Sequence, residues 1–325
     1  MKKEINFVGN VKKYLCVPLV IVILGVVCNI IFGTQLDISF KGGTLLKYTY
    51  VGELDEQAVS DFVNEQLGIQ AEVKLSDNDL VADSSLLTIT STEDISLEQS
   101  TALDEALTAQ YPDQQVELST SNSLKPSMGR LFFTKCLVAI LLASIFLVVY
   151  VALRFRKIGG WTAGVMAVLA LLNDVLVAYF AFVVFRIPLN DNFVAVVLSI
   201  LGYSLNDTIV VYDRIRENRR IMDSKCSIAE VVNRSINQSF TRTLNTSICT
   251  FIAIATVAVV GLIFRLDSII SFAVPMMFGV ISGFYTSVFL CSPLWARWQQ
   301  HILDKNAAAK NQKKGSKKAP QAKKA

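Results

Sequence analysis

Six long runs of apolar residues set what this chain can fold into. They lie at residues 15–32, 136–153, 161–185, 193–212, 246–264 and about 268–295. A helix rises 1.5 Å per residue, so a run of about 20 residues crosses the roughly 30 Å of hydrocarbon in a bilayer. The first run carries no charge, and the third carries only Asp174. Hydrophobic residues make up 52% of the chain and the mean hydropathy is +0.46, which excludes an ordinary soluble domain. The expected fold class is therefore a polytopic α-helical membrane protein with six transmembrane helices. The first run is longer than the core of a cleavable signal and lacks a small-x-small cleavage site, so it is read as a span. Pro275 inside the last run is tolerable in a membrane helix, because neighbouring helices satisfy the freed carbonyl.

Lysine and arginine mark one side of the membrane. They precede the first run (Lys2, Lys3, Lys12, Lys13) and follow the second (Arg154, Arg156, Lys157). They crowd between the fourth and fifth as Arg214, Arg216, Arg219, Arg220, Lys225 and Arg234, with Arg242 at the fifth run's entry. They also fill the tail from Lys305 to Lys324. With six spans these segments share one side, so that side is cytoplasmic and both termini are expected there. Residues 37–125 hold 17 acidic and four basic side chains and are expected outside. The resulting plan is a cytoplasmic segment 1–14, a first helix 15–32 and an extracytoplasmic domain 37–125. Five further helices follow within 131–295, with a cytoplasmic amphipathic segment at 214–242, then a basic tail 296–325. In that segment Ile228, Val231, Val232, Ile236 and Phe240 have helical spacing, which suits a helix lying on the membrane surface. The tail is read as solvated beside anionic lipid or ribosome, not as a nucleic-acid site.

The domain reads as a strand at 37–51 broken by Gly42-Gly43, a helix at 55–67 and strands at 71–75 and 85–91. A helix at 97–109 and a strand at 115–121 complete it. Val59, Phe62, Val63 and Leu67 share one face of the first helix. Leu97, Leu103 and Leu107 are the expected buried positions of the second. The βαββαβ order is that of a ferredoxin-like α+β fold, which by itself fixes no function. Two readings stay open for the domain. The glycine pair is a simple bend, or the domain offers a contact surface for an extended polypeptide. It contains no nucleophile–base constellation and no phosphate loop, so no enzyme is expected. None of the six cysteines falls in it, which excludes a disulfide scaffold there. No Cys/His cluster suggests a metal site, and the lone His301 follows Trp295 and Trp298 as an interfacial residue.

Charges inside the spans carry the functional signal. A charge at a helix centre costs roughly 2.5 to 3.5 kcal/mol to insert, so a retained one needs a partner or a wet cavity. Asp174 lies midway along the third run beside Asn173. Asp207 lies in the fourth, with Ser204, Asn206 and Thr208 within a turn of it. Arg242 opens the fifth, in the polar stretch Thr241-Arg242-Thr243-Leu244-Asn245-Thr246-Ser247. Asp207 and Arg242 are expected at similar depth. Either they form a switch, in which departure of the arginine lets the carboxylate take a proton, or they form a static pair that fixes packing. Asp174 leans towards the structural role. Gly279 and Gly283 form a G-x-x-x-G spacing that lets helices approach closely.

One stretch names a family. Gly202-Tyr203-Ser204-Leu205-Asn206-Asp207-Thr208-Ile209-Val210-Val211-Tyr212-Asp213-Arg214-Ile215-Arg216-Glu217-Asn218 resembles the signature of the SecF family, the smaller partner in the SecD–SecF accessory complex of bacterial protein export. Phe40-Lys41-Gly42-Gly43-Thr44 resembles the family's glycine element after the first span, and 239–247 resembles its opening of the fifth. Ser39 stands where the family often has Asp, and Asn173 where it often has His, which speaks against a proton route through that position. The resemblance implies an RND-type half unit in the bacterial cytoplasmic membrane, completed by SecD as a heterodimer. It implies work beside the SecYEG channel on unfolded exported polypeptide, late in translocation, driven by a proton or sodium gradient. It implies ion coupling at Asp207 and Arg242, with Asp174 joining them. It calls for no cofactor beyond the coupling ion and no nucleic acid. An RND-type exporter of small molecules and a passive assembly scaffold are the alternatives.

Overall fold

Each apolar run becomes a helix, and most of the helices outrun it. The computed structural model describes residues 5–77, 85–93, 95–124, 126–222, 226–264 and 266–318. Lys2, Lys3, Lys125 and Lys225, the tail past Lys318, and Asp79, Asp83 and Asp94 of the acidic segment lie outside the described residues. Among the described residues, six helical stretches are long and apolar enough to cross a membrane. They are α1 (Val11–Phe32), and, after a small domain, α5 (Pro126–Arg154), α6 (Gly160–Val184), α7 (Asp191–Ile221), α8 (Ile228–Ile263) and α9 (Asp267–Tyr285). The last continues through a π-helical turn, Thr286–Cys291, into α10 (Ser292–Lys318). Pro275 sits inside α9 without ending it.

The helices divide into two classes. Residues of α6, α7 and α9 are buried along much of their length, and α9 packs on α6, α7 and α8. The other three, α1, α5 and α8, leave most apolar side chains exposed, as a surface facing lipid or another protein would. The glycine pair of α9 explains one close approach. A Cβ on Gly279 would stand 2.1 Å from Ile200 Cδ1, and one on Gly283 would stand 3.0 Å from Ser204 Cβ. The close approach that the spacing predicted is therefore made to α7, which both glycines face, and only hydrogen there lets α9 lie against it.

The stretch 214–242 differs from expectation. Among the described residues there, no helix separate from α7 and α8 occurs. The first part extends α7, and residues 228–240 are the opening turns of α8, capped by Ser227 and Glu230 bonding reciprocally to each other's backbone N–H. The amphipathic spacing is real, but protein takes the apolar face: Val231, Val232 and Ile236 are buried in the core that holds Ile215, Tyr212 and Trp295. The N-terminal strand of chain is fastened to the same end. Asn233 and Asn237 bond the backbone N–H groups of Val8 and Ile5, and Arg297 donates to the carbonyls of Val8 and Gly9.

The small domain has the expected βαββαβ order with one change at its start. Residues 38–41 form a short helix, α2 (Ile38–Lys41), instead of strand, and β1 (Gly43–Tyr50) begins only after Gly42. Gly42 and Gly43 have φ of 78° and 137°, values that glycine adopts without strain. A Cβ on Gly43 would also meet the Ser91 carbonyl at 2.1 Å. The pair thus turns the chain from helix into sheet. The rest is α3 (Glu56–Leu67), β2 (Ala71–Asp77), β3 (Ser85–Ser91), α4 (Leu97–Gln110) and β4 (Glu117–Leu124). The strand order is β2-β3-β1-β4 with every neighbour antiparallel, the interleaved βαβ topology. Leu46, Leu87 and Ile89 of the sheet pack on Val59, Val63 and Leu67 of α3 and on Leu103 and Leu107 of α4. Leu97 is 84% exposed, because it opens α4 beside the cap residue Ser96 and points away from the sheet. Phe62 is only half buried, against the edge of Tyr111.

Candidate functional site

The inner helices bring a set of hydroxyls around one carboxylate. Asp174 of α6 is fully buried. Ser204 Oγ of α7 donates to its Oδ2 at 2.5 Å, and Ser282 Oγ of α9 donates to its Oδ1 at 2.6 Å. Thr286 Oγ1, first residue of the π turn, reaches both oxygens at 3.0 Å. Asn173 Nδ2 donates to Ser282 Oγ at 3.3 Å. Three helical segments thus converge on one acid, and each contributes through its spacing. Ser282 and Thr286 stand one turn apart, and Gly283 between them lets the α7 backbone come close enough for Ser204 to reach.

Asp207 lies three residues beyond Ser204 and is also buried, but its surroundings are sparse. Ser247 Oγ of α8 donates to its Oδ2 at 3.3 Å, and Tyr203 OH donates to Ser247 Oγ at 3.0 Å. Thr208 shares a hydrogen bond with Ser287 at 2.8 Å, and Ser287 Oγ donates to the Ser204 carbonyl at 3.1 Å. The Asp174 cluster and the Asp207 neighbourhood are therefore parts of one polar seam across α6, α7, α8 and the π turn. Neither carboxylate forms an ion pair with any described residue.

Arg242 is not beside Asp207. It is exposed, five residues before Ser247, and lines a crevice of about 660 Å³ with Asp213, Arg214, Arg216, Glu217 and Arg220. The expected meeting at similar depth is absent, because the α8 turn that faces Asp207 carries Ser247 inward and Arg242 outward. Asn206 and Gly202 are exposed on the far side of α7, and no side chain stands within reach of a Cβ at Gly202. Asp213 pairs with Arg154 at 3.2 Å and Arg216 at 2.9 Å, while Arg214 pairs with Glu217 at 2.6 Å. The charged end of the motif is thus a fastening of α5 to α7.

The glycine element is a joint, not part of the seam. Phe40 is buried between Phe132 and Phe133 of α5, with ring centroids 5.9 and 5.2 Å away. Thr44 Oγ1 is buried and accepts the Ile95 N–H at 2.9 Å. The element therefore fixes the domain at one end to the bundle and at the other to its own sheet.

Sequence reasoning missed Ser282, Thr286 and Ser287. Their signal was present: hydroxyls one turn apart in an otherwise apolar run, flanking the glycine pair. A seam of carboxylates and hydroxyls offers hard oxygen ligands only. A hydroxyl donates to an ionised carboxylate and accepts from a protonated one, so the Asp174 cluster satisfies either form.

Residues 104–301, more than half of the chain, match the family described as Protein export membrane protein SecD/SecF, C-terminal. The protein translocase subunit SecF of Alicyclobacillus acidocaldarius is 29% identical over 94% of this chain and 96% of its own length. The protein translocase subunit SecDF of Bacillus subtilis is 26% identical over 93% of this chain, which spans 39% of that longer protein. The crystal structure of SecDF from Thermus thermophilus, a translocon-associated membrane protein, superposes with a TM-score of 0.73 at 27% identity, over 92% of this chain and 39% of its own. The chain belongs to the SecD/SecF family of protein export membrane proteins.

Proposed function

We propose that this protein is an accessory subunit of the Sec protein translocase. In this reading it pairs with a SecD-type half in the bacterial cytoplasmic membrane and uses an ion gradient to promote late translocation or release of exported polypeptide. The observation that carries the reading is the polar seam: two buried carboxylates, neither with a cationic partner among the described residues, inside a bundle of the SecD/SecF family. A carboxylate charge in that setting has neutral dipoles, hydroxyls and the Asn173 amide, to offset it. A proton or a sodium ion cancels it, and losing that ion restores the cost. Moving the ion across the bundle then changes which helix packing is favoured, and the small domain, tied to α5 through Phe40, moves with the helices.

Asp207 is the coupling carboxylate in this reading, because its shell is incomplete and has room to change. Arg242 acts by swinging in from the crevice when α8 rotates, and Asp174 holds the hinge about which α6, α7 and α9 move. Partnership with SecD is supported by relatives in which one longer chain contains a region like this one. The charge pattern supports both termini on the cytoplasmic side, with the small domain outside as the contact for the emerging chain.

The test is export of a Sec-dependent substrate in cells carrying Asp207→Asn, with the protein level checked. Export is expected to fall to the level of a strain lacking the protein. Undiminished export would leave a packing role only, the behaviour of a passive scaffold. Inverted vesicles supplied in turn with a proton or a sodium gradient then identify the ion.

A further inference from the structure

Apart from holding Arg242, the crevice between α7 and the opening of α8 has no assigned role. Its acids are already matched: Glu217 is held by Arg214 at 2.6 Å, and Asp213 by Arg216 and Arg154. Its cations are not all matched. Arg220 and Arg242 make no ion pair or side-chain hydrogen bond with any described residue, and both are exposed on the crevice of about 660 Å³. Gln238 adds donors. Its Oε1 already accepts from Arg214 Nε and Asn218 Nδ2, each at 2.7 Å, and the residue is exposed, with its amide N–H groups unbonded among the described residues. The wall is apolar at Val210 and Ile221. The crevice also lies where the apolar run of α7 ends at Tyr212 and the charged run begins at Asp213.

We propose that this crevice binds the phosphate of an anionic phospholipid through Arg220, Arg242 and Gln238. Unpaired guanidinium groups and an amide N–H are the donor set for phosphate oxygens, and arginine supplies two donors per contact. The position at the end of an apolar run, with Val210 half-buried and Ile221 exposed beside the donors, favours a phosphate that arrives with acyl chains over one free in solution. Arg219, on the same turn of α7, lines a different cavity with Met222, Val232 and Trp295. It carries equal charge at nearly equal depth but lies outside the site.

The experiment uses the full chain purified in neutral detergent with mixed phosphatidylglycerol and phosphatidylcholine, and counts retained lipids by native mass spectrometry. Retention of phosphatidylglycerol in preference to phosphatidylcholine is expected. Arg220→Gln should weaken that preference about fivefold, the factor matching about 1 kcal/mol per arginine near a membrane surface. Arg219→Gln should leave it unchanged, and Arg220→Lys should restore part of it. Equal losses for Arg219→Gln and Arg220→Gln would overturn the proposal in favour of a diffuse charge effect. Full displacement of the lipid by millimolar inorganic phosphate would overturn the lipid assignment, since a soluble phosphate would then suffice.

Discussion

Asp174 and Asp207 are two buried carboxylates in one seam, and the structure treats them differently. Asp174 has hydroxyls from α7, α9 and the π turn on both oxygens, the longest contact at 3.0 Å. Asp207 has one, at 3.3 Å. Burial alone therefore does not say what an acid does in a membrane bundle. A complete shell makes an acid part of the packing, because removing it orphans several donors at once. A sparse shell costs the fold little to disturb, and that is what a site that gains and loses an ion requires.

The largest expected effect tests the complete shell. Asp174→Ala leaves Ser204 and Ser282 without their acceptor and Thr286 with only the Gly283 carbonyl at 3.3 Å. It should lower unfolding stability in detergent by about 3 kcal/mol, whereas Asp207→Ala should cost no more than about 1 kcal/mol. Similar losses for the two would erase the distinction. Gly279→Ala comes next. Its added methyl overlaps Ile200, so α9 must retreat from α7, at a cost of about 2 kcal/mol. Hydrogen exchange of this variant should also be faster along α9, the helix that has to retreat.

The small domain supplies a reference for an acceptor-free polar group. Tyr48 is fully buried, and its hydroxyl has no hydrogen-bond partner among the described residues. Burial, and then the charge of Asp104, raise its pKa above the ordinary tyrosine value near 10. Its folded-state pKa thus exceeds the unfolded one, so its share of stability is present at neutral pH and is lost as pH climbs above about 10. Tyr48→Phe should stabilise the domain by about 1 kcal/mol and remove that alkaline loss, followed by circular dichroism against pH. The smallest effect belongs to Ser247→Ala. It removes the lone Asp207 contact at a cost of about 0.6 kcal/mol, the usual worth of such a bond in a membrane protein. If export changes far more than stability in this variant, the sparse shell is functional.

Much of this was legible in the residues. The six apolar runs located the helices because span length is fixed by the bilayer. The G-x-x-x-G spacing marked a close approach on the last span, because small residues have few other reasons to recur at one turn, and the fold shows its partner to be α7. The βαββαβ order followed from periodicity. What failed involved partners distant in sequence. Val231, Val232 and Ile236 gave the right helical face, but spacing does not say whether lipid or protein covers it. Arg242 and Asp207 were aligned by depth, but depth says nothing of azimuth, and it is azimuth that turns Arg242 into the crevice. The hydroxyls of 282, 286 and 287 are silent in hydropathy, since serine and threonine sit in a span at little cost. Only the fold shows that Ser282 and Thr286 share an acid 108 and 112 residues away, and that Ser287 bonds Thr208 and the Ser204 carbonyl of α7.

The wide turn at Thr286–Cys291 gives the sixth run a mechanical property. A π turn accommodates one residue more than an α turn, so α9 and α10 are continuous but out of phase by a residue. Rewinding it to α geometry would advance one helix against the other by about 1.5 Å and about 100°. Thr286, which grips both oxygens of Asp174, is the first residue of that turn, while Ser282 lies in the regular helix before it. A phase slip would therefore withdraw one hydroxyl from the acid and leave the other in place. In this sense the last span behaves as a ratchet with a single tooth, and Asp174 is the pawl that rests on it.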